Sequence, residues 1–157
     1  ENLELLKSAV YKSCKIKLHF VNKDTNEKNV RMILNFGHTF AHAIELKNNF
    51  SKKINHGEAV LIGMILAVKF SLIKKICSYN TYKDIIDIYE KNNLTYNLNI
   101  FFKKNEYNQI IDLMNNDKKN DDKKINLILI KKIGQITSPG MYKYTTQEIK
   151  NVLKKIT

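Results

Sequence analysis

The sequence has only two cysteines, Cys14 and Cys77, far apart and without a CxxC spacing. That excludes a disulfide framework and leaves two ordinary reduced thiols. No GxGxxG occurs, so the chain carries no dinucleotide-binding fingerprint of its own. No apolar run approaches the ~20 residues that a membrane span needs. The opening ENLELLKSAVYKS is an amphipathic helix entered partway, not a secretory leader. The chain does not begin with Met, which reads as a fragment of something longer. With no address visible, the expected compartment is the cytoplasm. Acidic residues are scarce, 15 against 27 Lys+Arg, for a net charge of +12. The lysines are mixed with asparagine, as in KNNLTYN and NNDKKNDDKK, and form no basic stripe interleaved with aromatics, so nucleic acid is not the indicated partner. A small polyanionic substrate is a better use of positive charge.

At 157 residues and 43% hydrophobic content the chain can bury the core of one domain. Residues 2 to about 21 show a helical period in Leu3, Leu6, Val10, Cys14 and Lys17. After the turn-prone NKDTNEKN, a second helical pattern runs from Val30 to Leu46. From His56 the run GEAVLIGMILAVKFSLIKK is apolar nearly all round, as a buried central helix would be, with Gly57, Ala59, Gly63 and Ala67 permitting close helix contact. Thr81–Asn92 and Glu106–Asn116 read as shorter amphipathic helices. In KKINLILIKKIGQIT, β-branched residues alternate with Lys around a glycine, which predicts a short strand pair near 125–137. The one proline, Pro139 in SPG, marks a turn. TTQEIKNVLKKI closes the chain as a helix with Thr145 or Thr146 as N-cap. The expected fold class is mainly α.

Chemistry concentrates between Arg31 and Met64, in RMILNFGHTFAHAIELKNNFSKKINHGEAVLIGM. This stretch holds three of the four histidines, His38, His42 and His56, together with Arg31, Asn35, Glu45 and Glu58. His38 and His42 are spaced i, i+4, which puts both imidazoles on one helical face where a metal or a proton relay can use them. On a continuous helix Arg31 and Asn35 extend that face backwards. Thr39 follows His38, where the zinc-protease HExxH pattern has its glutamate, so hydrolysis by that device is not the expected chemistry.

NFGHTFAHAIE followed by HGEAVLIGM closely resembles the paired signatures of the 3-dehydroquinate synthase family, LNxGHTxGHAIE and HGEAVxxGM. The likeness extends back through SCKIK and DTNEKNVR and forward to MNNDKK, with Ala41 where the family usually has glycine. The resemblance implies the helical C-terminal domain of a two-domain enzyme whose N-terminal α/β domain binds NAD. It implies conversion of a small phosphorylated keto-acid, 3-deoxy-D-arabino-heptulosonate 7-phosphate, into 3-dehydroquinate and phosphate in the shikimate pathway. The family uses NAD and a divalent zinc or cobalt ion, and its members are typically homodimers.

Carried over residue by residue, the resemblance makes His38 and His56 metal ligands and puts the third ligand, a glutamate, upstream of Glu1. His42 and Glu27 become the acid/base pair. Lys17, Arg31 and Asn35 become substrate contacts, joined by Lys118 or Lys119 from MNNDKK. Glu45 and Glu58 read as salt-bridging or capping groups. By this reading the chain is half an active site. Competing readings are a related sugar-phosphate cyclase, a non-catalytic helical module that has kept the motif, and, weakest, a basic nucleic-acid binder.

Overall fold

A computed structural model describes residues 2–47, 54–95, 106–115 and 124–156. The chain divides into two units, residues 1–34 and 35–157. The predicted Lys118 and Lys119 lie outside the described residues.

The first unit is dominated by α1, Leu3–Lys23. Asn2 caps it, its side-chain oxygen accepting from Leu5 N at 3.2 Å. Despite its amphipathic spacing, α1 buries none of its residues. The turn after it is organised by Asp24, whose carboxylate accepts from the backbone N–H groups of Lys28 (3.1 Å), Asn29 (2.7 Å) and Arg31 (3.0 Å). Burial works to raise the pKa of Asp24, but these three donors and the Arg31 charge outweigh it and hold the carboxyl below its ordinary value. A 3-10 helix, Val30–Asn35, runs from this turn to the start of the second unit.

The expected single helix from Val30 to Leu46 is therefore two pieces, and this corrects the sequence reading. The break is at Phe36 and Gly37; α2 starts at His38 and runs to Lys47. Gly37 has φ +81°, a left-handed conformation that side chains resist, and a Cβ there would lie 2.6 Å from Met64 N. Arg31 and Asn35 consequently do not continue the α-helical face of His38 and His42.

The second unit is built on α3, His56–Ile73, which buries nine residues including Ile65, Leu66 and Phe70. Asn55 and Glu58 form a capping box at its start, with Glu58 N donating to Asn55 Oδ1 (2.9 Å) and Asn55 N to Glu58 Oε2 (2.8 Å). By length and composition α3 is long and apolar enough to cross a membrane, which corrects the sequence reading that no run came near that length, but half of it is buried inside the unit. It serves as the core helix, as the apolar run predicted. Around it pack α2, α4 (Tyr79–Lys91) and α6 (Thr146–Ile156), while α5 (Tyr107–Asn115) lies against α2 and α6. The Tyr89 hydroxyl of α4 donates to Leu61 O at 2.8 Å, and burial pushes its pKa up to about 12. Lys47, at the end of α2, pairs with Glu106 at 2.9 Å.

The strand pair near 125–137 is present as an antiparallel hairpin of β2 (Ile130–Lys132) and β3 (Gln135–Ile136), turning at Gly134. A second pair joins β1 (Lys124–Asn126) to β4 (Lys143–Thr145), with Ile125 opposite Tyr144. Thr145 then caps α6 in a second capping box with Glu148.

Ser71 couples hairpin and helix. Fully buried, its hydroxyl donates to Ala67 O (2.6 Å) and accepts from Ile130 N (3.1 Å). Ser71→Ala strands that buried N–H, so a loss of about 1–3 kcal/mol is expected. Urea unfolding should show it as a lower midpoint at unchanged slope.

Candidate active site

The site in the second unit grows from the opening turns of α2 and α3. His38 is the first residue of α2 and His56 the first of α3. Gly37 and Gly63 let the two backbones meet, since a Cβ on Gly63 would overlap the Gly37 carbonyl oxygen. Ala41, where the family pattern has glycine, is fully buried in the core beside them. The three imidazoles form one cluster, with ring centroids 5.8 Å apart for His38–His42 and 5.7 Å for His38–His56.

Each of the two predicted ligands engages its Nδ1. His38 Nδ1 lies 3.4 Å from Phe36 O, and His56 Nδ1 lies 2.9 Å from Glu45 Oε1. With an acceptor at each Nδ1, the favoured tautomer carries its proton there and leaves the Nε2 lone pair for a metal to take if one binds. Burial lowers the pKa of His38; the Phe36 carbonyl opposes this, the charges of His42 and His56 add to it, and Glu45 again opposes it. The net result favours the neutral imidazole a metal requires. Among the described residues no group of three His, Cys, Asp or Glu side chains is placed to hold a metal. The donor set fits one side of a divalent zinc or cobalt site, supplying two nitrogens and needing a further ligand.

In the first unit the structure brings together Glu27 and Arg31, whose side chains pair at 3.7 Å. Arg31 also donates to Thr25 O at 2.8 Å. Glu27 has φ 52°, a left-handed conformation unusual for a residue with a side chain. Lys17 is an exposed residue of α1, and Asn35 is half-buried at the end of the 3-10 helix. Glu58 is the capping residue that the sequence suggested. Glu45 is the salt-bridging group expected, but its partner is the predicted ligand His56, eleven residues away in the chain. Asp24 was not anticipated as an organiser; an aspartate opening a polar turn, as in DTNEKN, is the signal that could have found it.

The helical fold matches that of sugar-phosphate cyclases among solved structures. A 2-deoxy-scyllo-inosose synthase complexed with carbaglucose-6-phosphate, NAD+ and Co2+ matches 97% of this chain and 41% of its own, at TM-score 0.73 and 25% identity. The 2-epi-5-epi-valiolone synthase of Streptomyces hygroscopicus subsp. jinggangensis, with NAD+ and Zn2+ bound, has the same fold at TM-score 0.70 and 21% identity, over 98% of this chain and 39% of its own. Residues 1–120 match the family described as 3-dehydroquinate synthase C-terminal. The 3-dehydroquinate synthase of Pelagibacter ubique is 45% identical over 82% of this chain and 35% of its own length. That of Endomicrobium trichonymphae is 42% identical over 94% and 39%. The chain belongs to the 3-dehydroquinate synthase family. It spans well under half the length of these relatives.

Proposed function

We propose that this chain is the metal- and substrate-binding half of a 3-dehydroquinate synthase, a carbon–oxygen lyase converting 3-deoxy-D-arabino-heptulosonate 7-phosphate into 3-dehydroquinate and phosphate. In this reading an N-terminal α/β domain carries most of the NAD site and the third metal ligand, a glutamate. The working enzyme is a cytoplasmic homodimer. The observation that carries the reading is the cluster of His38, His42 and His56, with His56 held by Glu45. The names of the relatives support the choice among cyclases.

A bound divalent metal would supply Lewis acidity to a substrate hydroxyl, and NAD a hydride acceptor for the carbon that bears it. His38 and His56 contribute Nε2 to that metal. His42, one turn beyond His38 on α2, handles a proton near the departing phosphate, a task that suits an imidazole near neutral pH. Glu27 is the second acid/base group. Arg31 and Lys17 bind the substrate's anionic groups, Asn35 donates and accepts hydrogen bonds, and Lys118 or Lys119 adds a further cation.

The test is phosphate release by the full-length protein with NAD and zinc, comparing the keto-acid phosphate with hexose 6-phosphates. Turnover of the keto-acid phosphate alone supports the reading; preference for a hexose phosphate would assign a different cyclase reaction. Arg31→Ala is expected to lower kcat/KM by about 10- to 150-fold, the loss of one charge-assisted bond to an anion. Its melting temperature reports separately on the turn that Arg31 helps to hold through Thr25 and Glu27. An unchanged kcat/KM would remove Arg31 from the substrate site.

A further inference from the structure

Glu45 has a role that neither the likeness to known enzymes nor the motif assigns. Its side chain is 13% exposed, while that of its partner His56 is 61% exposed. Glu45 lies in the last turn of α2, at i+7 from His38 and i+3 from His42, so the three form one stripe along the helix. An acidic residue in a final turn meets the negative end of the helix dipole and is locally unfavourable. Lys47, the basic residue of that turn, pairs with Glu106. The compensation comes from α3: Glu45 Oε1 lies 2.9 Å from Nδ1 of His56, the first residue of that helix, where the dipole end is positive.

The contact is specific in its atoms. It engages Nδ1, fixing both the tautomer and the rotation of a ring that is otherwise largely in solvent. The capping box of Asn55 and Glu58 fixes the backbone under the ring; the ring itself, which lies 5.7 Å from that of His38, is held among the described residues by Glu45. His38 needs no such partner, because it is half-buried and the Phe36 carbonyl faces its own Nδ1.

We propose that Glu45 is the positioning residue of the metal centre: its carboxylate holds Nδ1 of His56 and so aims Nε2 at the metal, without binding the metal itself. This rests on the functional reading above. Outer partners of ligating histidines commonly govern metal affinity by about 10- to 100-fold. The first variant, Glu45→Ala, removes the acceptor. The second, Glu45→Gln, keeps an oxygen that can accept from Nδ1–H but loses the charge.

The experiment titrates metal-free full-length protein with Zn2+ against a chromophoric chelator, and with Co2+ by its visible absorption. Expected for Glu45→Ala are about 10- to 100-fold weaker zinc binding and an altered cobalt spectrum, with Glu45→Gln recovering most of the affinity. The melting temperature of the metal-free variants separates this from a simple brace between α2 and α3. Zinc affinity of Glu45→Ala within about twofold of wild type overturns the proposal. So do equal losses in both variants that track an equal fall in melting temperature. Should Glu45→Ala not fold, the cobalt spectrum and affinity of Glu45→Gln decide: near-native values support positioning, and a lost site makes Glu45 a direct ligand instead. His56→Ala is run alongside. If it too keeps full zinc affinity, the functional reading has failed; if it loses zinc while Glu45→Ala does not, only the role of Glu45 has failed.

Discussion

His38→Ala and His56→Ala are expected to abolish zinc binding and turnover together in the full-length enzyme, while His42→Ala keeps the metal and loses rate. The division follows from the atoms engaged. His38 and His56 each present Nδ1 to an acceptor, Phe36 O and Glu45 respectively, which in the proposed reading leaves Nε2 of each for the metal. Removing either leaves one imidazole from this chain, and affinity should fall by more than the ~100-fold reached when only an outer partner is lost. His42 is exposed on the same face of α2, its ring 5.8 Å from that of His38. That places it beside the proposed metal centre and within reach of solvent, as proton transfer requires. A general acid–base residue contributes about 10²–10⁴-fold to rate, so His42→Ala should lower kcat by that order with one equivalent of zinc retained. Elemental analysis of the purified variants checks the division. Zinc lost from His42→Ala would make it a ligand and collapse the assignment of roles.

The sequence made the helical core legible wherever the signal was local. The apolar run after His56 marked α3 because a helix apolar on all sides has to be buried, and the extent of the run indicated its length. The spacing of His38 and His42 placed both on α2 for the same reason. What stayed hidden depended on contacts across the chain. The break at Gly37 was invisible in the period of Val30–Leu46, since it exists to let α2 approach Gly63 and Met64. The pairing of β1 with β4 joins Ile125 to Tyr144 across a hairpin, and no alternation within either strand of three residues announces its partner. Within the site, the motif named its histidines but not the carboxylate that aims one of them. Glu45 meets His56 only because two helices fold back on one another. Lys118 and Lys119 fall outside the described residues and stay as the motif left them.

Gly63→Ala and Gly57→Ala make the same chemical change on one helix and should have opposite consequences. A methyl at Gly63 would overlap the Gly37 carbonyl oxygen and lie 3.0 Å from Ala41 N. Both obstacles are backbone, and no rotamer change relieves them. The opening of α2 has to move off α3, and overpacking of this kind costs about 1–3 kcal/mol. At about 2–4 °C per kcal/mol for a protein of this size class, the melting temperature should fall by roughly 2–12 °C. The same displacement carries His38 away from His56, whose rings now sit 5.7 Å apart, so zinc affinity should fall with stability. Gly57 is exposed in the first turn of α3, and among the described residues a Cβ there would meet Asn55 Oδ1 at 3.4 Å, an ordinary contact. Alanine at that position removes backbone freedom from the unfolded chain and should stabilise by about 0.4–1 kcal/mol without touching the metal site. Thermal melts of both variants with and without zinc make the comparison. A Gly63→Ala protein that melts and binds zinc like wild type would show that the α2–α3 approach is not what sets the geometry of the histidines.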